Sequence, residues 1–161
     1  FKDELSGQAA VNVYRTHHKL SGMLNRQFPA APIQNSTTVQ LNCFTAEDNT
    51  LHCIVYHHNL KIILYRNGKF QLAQYFSYGT PDDAVYHLLG VCTQHEIPAE
   101  AVNLQLYGLI DEKSNLYSEI HKYFARVNFA LLPAGTQLSQ EMVQYPPQFF
   151  SHLVIAATCV S

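Results

Sequence analysis

The chain has 161 residues, with 10 Lys and Arg against 12 Asp and Glu, a net charge of −2. Charged side chains are 14% of it, and 12 Gln and 10 Asn equal them in number; an ordinary globular domain carries about 25% charged residues. With 47% apolar residues and only 7 Gly and 7 Pro, the composition excludes a disordered chain, and the lack of a basic excess excludes binding to a nucleic-acid backbone.

In chain order, residues 10–14 (Ala-Val-Asn-Val-Tyr) predict a short strand. Thr16 is placed to cap a helix over about 17–27, with Leu20, Met23, Leu24 and Phe28 on one stripe. Pro29 and Pro32 stop it. After an extended piece at Ile33, Ser36 or Thr37 starts a second helix carrying Val39, Leu41 and Phe44, and Glu47-Asp48-Asn49 makes a turn. Residues 51–57 form an apolar strand ending at His57-His58-Asn59, and residues 60–66 a second. Asn67-Gly68 is a strong hairpin signal, because a type I′ turn needs positive φ at both central positions. Lys69–Tyr78 is a third strand, with Phe70, Leu72 and Gln74 expected on one face.

The period then changes. Thr80-Pro81-Asp82-Asp83 starts a helix, with a hydroxyl cap, a proline in the first turn and two acids at the positive end of the dipole. Ala84, Val85, Leu88, Leu89 and Cys92 follow at helical spacing to about Glu96. Residues 103–107 read as a strand stopped at Gly108, and Ser114 caps a helix with Leu116, Ile120 and Phe124 in line. Residues 128–132 are a last strand, and Pro146-Pro147 opens a terminal helix with Phe149, Phe150, Leu153, Val154 and Ala157.

From about residue 50 the order is βββαβαβα. That is an α/β fold of the ribonuclease H-like type, a mixed sheet with helices on both faces. The preceding segment reads strand-helix-strand-helix, like the back half of such a unit. The expected domains are 1–45, the remnant of a first half, and 46–161, a ribonuclease H-like domain.

Four cysteines, Cys43, Cys53, Cys92 and Cys159, show no C-x-x-C spacing and lie in apolar periodic segments. They read as reduced, buried thiols of a cytoplasmic protein. The apolar run Leu153–Val160 is far short of a bilayer span, and Phe1–Leu5 is no signal peptide. Without an initiator Met, the chain reads as a processed or excised piece of something longer.

Duplicated ribonuclease H-like units are the architecture of the actin-like superfamily. More narrowly, several stretches resemble the domain of unknown function 3822 family of uncharacterised bacterial proteins. They are Tyr65-Arg66-Asn67-Gly68-Lys69-Phe70, the run from Tyr75 through Gly79-Thr80-Pro81-Asp82-Asp83, Leu106-Tyr107-Gly108, the helix Leu116–Val127 and Tyr145-Pro146-Pro147-Gln148-Phe149-Phe150. Residues 10–44 fit the tail of that family's first half. The resemblance implies an actin-like ATPase fold with no assigned activity.

An actin-like nucleotide site would need a phosphate loop with an Asp acting through Mg²⁺ and glycines for close backbone approach. Here the corresponding turn is His57-His58-Asn59-Leu60, without Asp, Gly, Ser or Thr. The Gly-Gly pair of an adenosine site is reduced to Gly108 in Tyr107-Gly108-Leu109-Ile110. The candidate nucleotide-binding residues, in degenerate motifs, are therefore His57, His58, Asn59 and Gly108, with no catalytic residue and no metal ligand.

Nine histidines include two adjacent pairs, His17-His18 and His57-His58, and neighbours on a strand or helix do not face one ligand. Surface or hydrogen-bonded roles are the expectation, with metal binding a third, weaker class. Asp82-Asp83 is explained by its helix start, and the first strand lacks the carboxylate that ribonuclease H chemistry needs. Tyr65, Tyr75, Phe76 and Tyr78 cover the sheet or form a binding patch.

The expected function is thus a non-catalytic actin-like scaffold or partner-binding module with no cofactor. Its partners would be an unidentified protein and a missing N-terminal lobe packed against this chain, with neither nucleic acid nor a membrane span. The alternative is a nucleotide-binding actin-like ATPase whose site, taking ATP and Mg²⁺, lies between two lobes of the full-length protein.

Overall fold

The structure is a computed structural model, and it describes residues 1–6, 10–45 and 47–159. The chain begins with a small antiparallel hairpin, β1 (Lys2–Glu4) and β2 (Val11–Val13), followed by helices α1 (His18–Gln27) and α2 (Ser36–Cys43). A meander of β3 (Thr50–Val55), β4 (Asn59–Arg66) and β5 (Lys69–Ser77) leads into α3 (Pro81–Gln94). Then come β6 (Asn103–Gly108), α4 (Asn115–Ile120), β7 (Arg126–Phe129), α5 (Gln140–Val143) and α6 (Gln148–Cys159). The five longer-range strands form one mixed sheet in the order β5-β4-β3-β6-β7. The β3–β4 and β4–β5 pairs are antiparallel, and the β3–β6 and β6–β7 pairs are parallel.

Each face of this sheet carries its own core. Leu51, Cys53, Val55, Leu60, Ile62, Leu64, Leu104 and Leu106 point to one face. There Ala84, Val85 and Leu88 of α3 and Leu116 and Ile120 of α4 cover them. The alternate residues Ile54, Ile63, Tyr65 and Tyr107 meet Leu41 and Phe44 of the α2 segment, with Ile155 of α6 beside them. Burying each such Leu or Ile contributes about 1.5–3 kcal/mol. Strand β3 is buried at every position, as expected of a strand with helices on both sides. Leu5, Leu41 and Phe44, from the segment before residue 46, pack into this second core.

The turn and cap chemistry follows the sequence. Asn67 and Gly68 both take positive φ, 52° and 68°, as the type I′ turn requires. Thr80 and Asp83 form a reciprocal capping box: Asp83 N donates to Thr80 Oγ1 at 3.2 Å, and Thr80 N donates to Asp83 Oδ2 at 2.9 Å. Thr80→Ala is expected to cost about 1 kcal/mol, read as a lower urea midpoint with an unchanged slope.

Several expectations need correction. The cap of α1 is His17, whose Nδ1 accepts from Lys19 N at 3.3 Å, rather than Thr16. No strand forms at Ile33, while the charged run Lys2–Glu4, lacking β-propensity, pairs with β2. Phe70 and Leu72 do not share a face. A bulge pairs Leu64 with Leu72 and Tyr65 with Phe70, leaving Gln71 as the extra residue. One extra residue reverses the alternation, so Leu72 joins the first core and Phe70 the second. Cys53 and Cys92 are free and buried, but Cys43 is disulfide-bonded. That bond corrects the reading of four reduced thiols and removes it as an argument for a reducing compartment. The Cys159 side chain lies outside the described residues. Among the described residues no helix is long and apolar enough to cross a membrane.

Candidate functional site

Strands β3 and β6 run parallel and end together, with Val55 opposite Gly108. The β3–β4 turn and the loop after β6 are therefore neighbours on one edge of the sheet, and His57, His58, Asn59 and Gly108 lie along it. Leu109 N donates to Val55 O, and Tyr56 N to Asn59 O, both at 2.8 Å. The His57 and His58 rings are exposed, with centroids 4.0 Å apart. Ser77 Oγ donates to Asn59 Oδ1 at 3.0 Å, and Tyr78 N donates to His58 O at 3.0 Å. These bonds fasten the turn to the exit of β5.

Gly108 has φ +79°, a region that disfavours side chains. A Cβ there would overlap the Val55 carbonyl oxygen and lie 3.2 Å from that residue's carbonyl carbon. The close approach of two strand ends thus requires this glycine by itself.

Beside it lies a cavity of about 330 Å³ lined by Asp111, Glu112, Lys113, Phe129, Pro146 and Gln148. Gln148 Nε2 donates to Ile110 O at 3.1 Å and closes its floor. Two carboxylates face one ammonium here, and the facing turn brings neither a carboxylate for Mg²⁺ nor a hydroxyl. The turn itself therefore supplies no metal-holding acid and no hydroxyl for a magnesium-bound polyphosphate.

Three perturbed polar groups lie elsewhere, under α2 and α6. Lys61 is fully buried on β4, and its Nζ donates to Thr37 Oγ1 at 2.7 Å and Gln40 Oε1 at 2.5 Å. It also sits 5.2 Å from the Tyr75 ring centroid. No carboxylate pairs with it among the described residues. Burial pushes its pKa down to about 8. His152 of α6 is buried with Nδ1 unpartnered among the described residues; burial and then the Lys61 charge push its pKa down. His52 lies between Tyr107 and Thr45. Its Nε2–H donates to Thr45 O at 3.0 Å, so Nδ1 accepts from the Tyr107 hydroxyl at 2.8 Å. Burial lowers its pKa to about 4.

Sequence reasoning missed Lys61, although its place in Leu60-Lys61-Ile62-Ile63-Leu64 was a signal, since period 2 puts it on the face of Ile63 and Tyr65. Of the aromatic group, Tyr65 is buried, and Phe76 and Tyr78 pack on the first core. Tyr75 is half exposed over Lys61. Among the described residues no three His, Cys, Asp or Glu side chains come together.

A crystal structure of a Bacteroides thetaiotaomicron protein with an actin-like ATPase fold and unknown function shares 25% identity with a TM-score of 0.58, over 68% of this chain and 45% of that one. An AlfA filament bound to AMPPNP shares 11% identity with a TM-score of 0.47, over 74% of this chain and 41% of that one, a likeness too slight to argue from. The chain spans less than half the length of either protein. No curated protein matches it. The pattern of the family described as "Protein of unknown function (DUF3822)" matches residues 1–127, and the chain belongs to that family.

Proposed function

We propose that this chain is a non-catalytic actin-like module that binds a protein partner. The observation that carries the reading is Gly108. The one glycine kept from a nucleotide motif is needed by the Val55 carbonyl at the strand end, so its presence calls for no ligand. The neighbouring turn offers imidazoles and an amide already bonded to Ser77. A partner surface is supported by α1, in which no residue is buried and Leu20, Met23 and the capping Phe28 are 49%, 59% and 60% exposed. Val11 and Val13 of β2 are exposed as well. Apolar side chains gathered in this way mark interaction sites. In this reading residues 1–45 close a first actin-like half, and α1 faces the rest of that half. Similarity to a protein of which this chain covers only 45% supports it.

The second reading, a nucleotide-binding protein with its site between two lobes, has the cavity beside Gly108 in its favour. One experiment decides between them. Calorimetric titration of the full-length protein with ATP and Mg²⁺ is expected to give no binding heat. Saturable binding at micromolar ATP overturns the non-catalytic reading.

A further inference from the structure

The face of the sheet under α2 and α6 opens near the start of β3 into a cavity of about 530 Å³. Ligand pockets run from about 300 to 1,000 Å³. Its floor is a patch of alternate strand residues: Thr50 of β3, Asn103 and Gln105 of β6, and Asn128 of β7. The parallel register sets Thr50 beside Asn103 and Gln105 beside Asn128, so the pleat presents all four together. The His57–Asn59 turn lies at the opposite end of these strands, about 17 Å away along β3. The polar floor is thus set away from the candidate turn, while the cavity wall reaches Tyr107 and shares Phe129 with the smaller cavity.

Two observations point to a ligand. The Thr50 side chain is 2% exposed, and its Oγ1 has no hydrogen-bond partner among the described residues. Buried hydroxyls are rarely left bare. The Tyr107 hydroxyl gives its proton to His52 Nδ1 and so cannot donate to it. The amides are also pre-set. Asn103 Oδ1 accepts from Gln105 Nε2 at 3.3 Å and from Asn128 Nδ2 at 3.1 Å. That arrangement fixes three planar amides and leaves the Gln105 and Asn128 oxygens and the Asn103 NH₂ group available.

The lining chemistry defines the ligand. No Lys or Arg lines the cavity, and its one charged residue is the exposed Glu47 at the rim. Anions are disfavoured. Paired donors and acceptors on fixed amides match adjacent hydroxyl groups, and Ile155 offers an apolar wall for ring C–H groups. We propose that this cavity binds an uncharged polyhydroxylated ligand of monosaccharide size, held by Thr50, Asn103, Gln105 and Asn128.

The test uses saturation-transfer NMR on the whole chain with glucose, galactose and myo-inositol at millimolar concentration, and glucose 6-phosphate as the charged control. At least one neutral probe is expected to bind, and the phosphorylated sugar to bind more weakly than glucose. Thr50→Val keeps the shape and suits a strand, so its urea midpoint should hold or rise while affinity drops about tenfold. Gln105→Leu should do the same. Silence from every neutral probe, tighter binding of the phosphorylated sugar, or binding untouched by both substitutions overturns the proposal.

Discussion

Replacing Lys61 by methionine is expected to shift the pH dependence of stability by about 3 kcal/mol, in a defined window and with a defined sign. Lys61 is buried without a carboxylate partner, and its pKa falls from 10.5 to about 8. Between those values the unfolded chain holds a proton that the folded protein has given up. Raising the pH through the window therefore stabilises the wild-type fold, at 1.36 kcal/mol per unit of difference. Below about pH 8 both states carry the proton, and the desolvation cost of the buried charge is present in full. Other groups act the opposite way in the same range. Burial pushes Cys53 up to about 12, Cys92 to about 11 and Tyr65 to about 12, so ionisation of the unfolded thiols and phenol erodes stability. Subtracting the Lys61→Met curve from the wild-type curve isolates the lysine. From about pH 8 to 10.5 the difference should move in favour of the wild type. Urea unfolding at a series of pH values measures it. A flat difference would mean that Lys61 stays hydrated and charged in the folded protein.

The second large effect is expected at Gly108. Gly108→Ala places a methyl group against the Val55 carbonyl, which already accepts from Leu109 N at 2.8 Å and cannot turn away without losing that bond. The positive φ adds about 1–2 kcal/mol for any side chain. Together these should cost about 4 kcal/mol or more, enough to unfold a marginal domain. Circular dichroism during urea titration gives the result. A stable, well-folded Gly108→Ala protein would mean that the strand ends can separate. Gly108 would then be available for a ligand after all, which would reopen the nucleotide reading.

The same two residues show what a sequence can and cannot reveal here. Local chemistry was legible: the Thr80–Asp83 box, the Asn67-Gly68 turn and the continuous apolar run of β3 each rest on neighbours a few positions apart. What escaped depends on distant partners. Lys61 looked like one polar residue in an apolar strand, and only α2 and α6 show that it lacks a counter-charge. The bulge at Gln71 leaves no local mark, yet it sends Phe70 to the other core. The hairpin of Lys2–Glu4 forms against propensity because β2 and the Asp3 bonds hold it. Asn35 N and Thr38 Oγ1 each donate to Asp3 Oδ2 at 2.8 Å. The cavity at Thr50 is assembled from residues near 50, 103 and 128, which no window of sequence contains.

The buried central position of β3 has a further consequence in time. Its partner β4 follows directly, but its other partner, β6, is made only after the whole of β5 and α3. Until then one edge of an apolar strand has bare N–H and C=O groups, the kind of edge that recruits other chains. While the chain is being synthesised, the meander is thus an adhesive half-sheet. The well-capped α3 lies between it and β6 in the sequence and covers one face of it through Ala84, Val85 and Leu88. A ribosome that stalled after α3 would hold a chain shielded on that face and open along that edge, ready to aggregate with its neighbours.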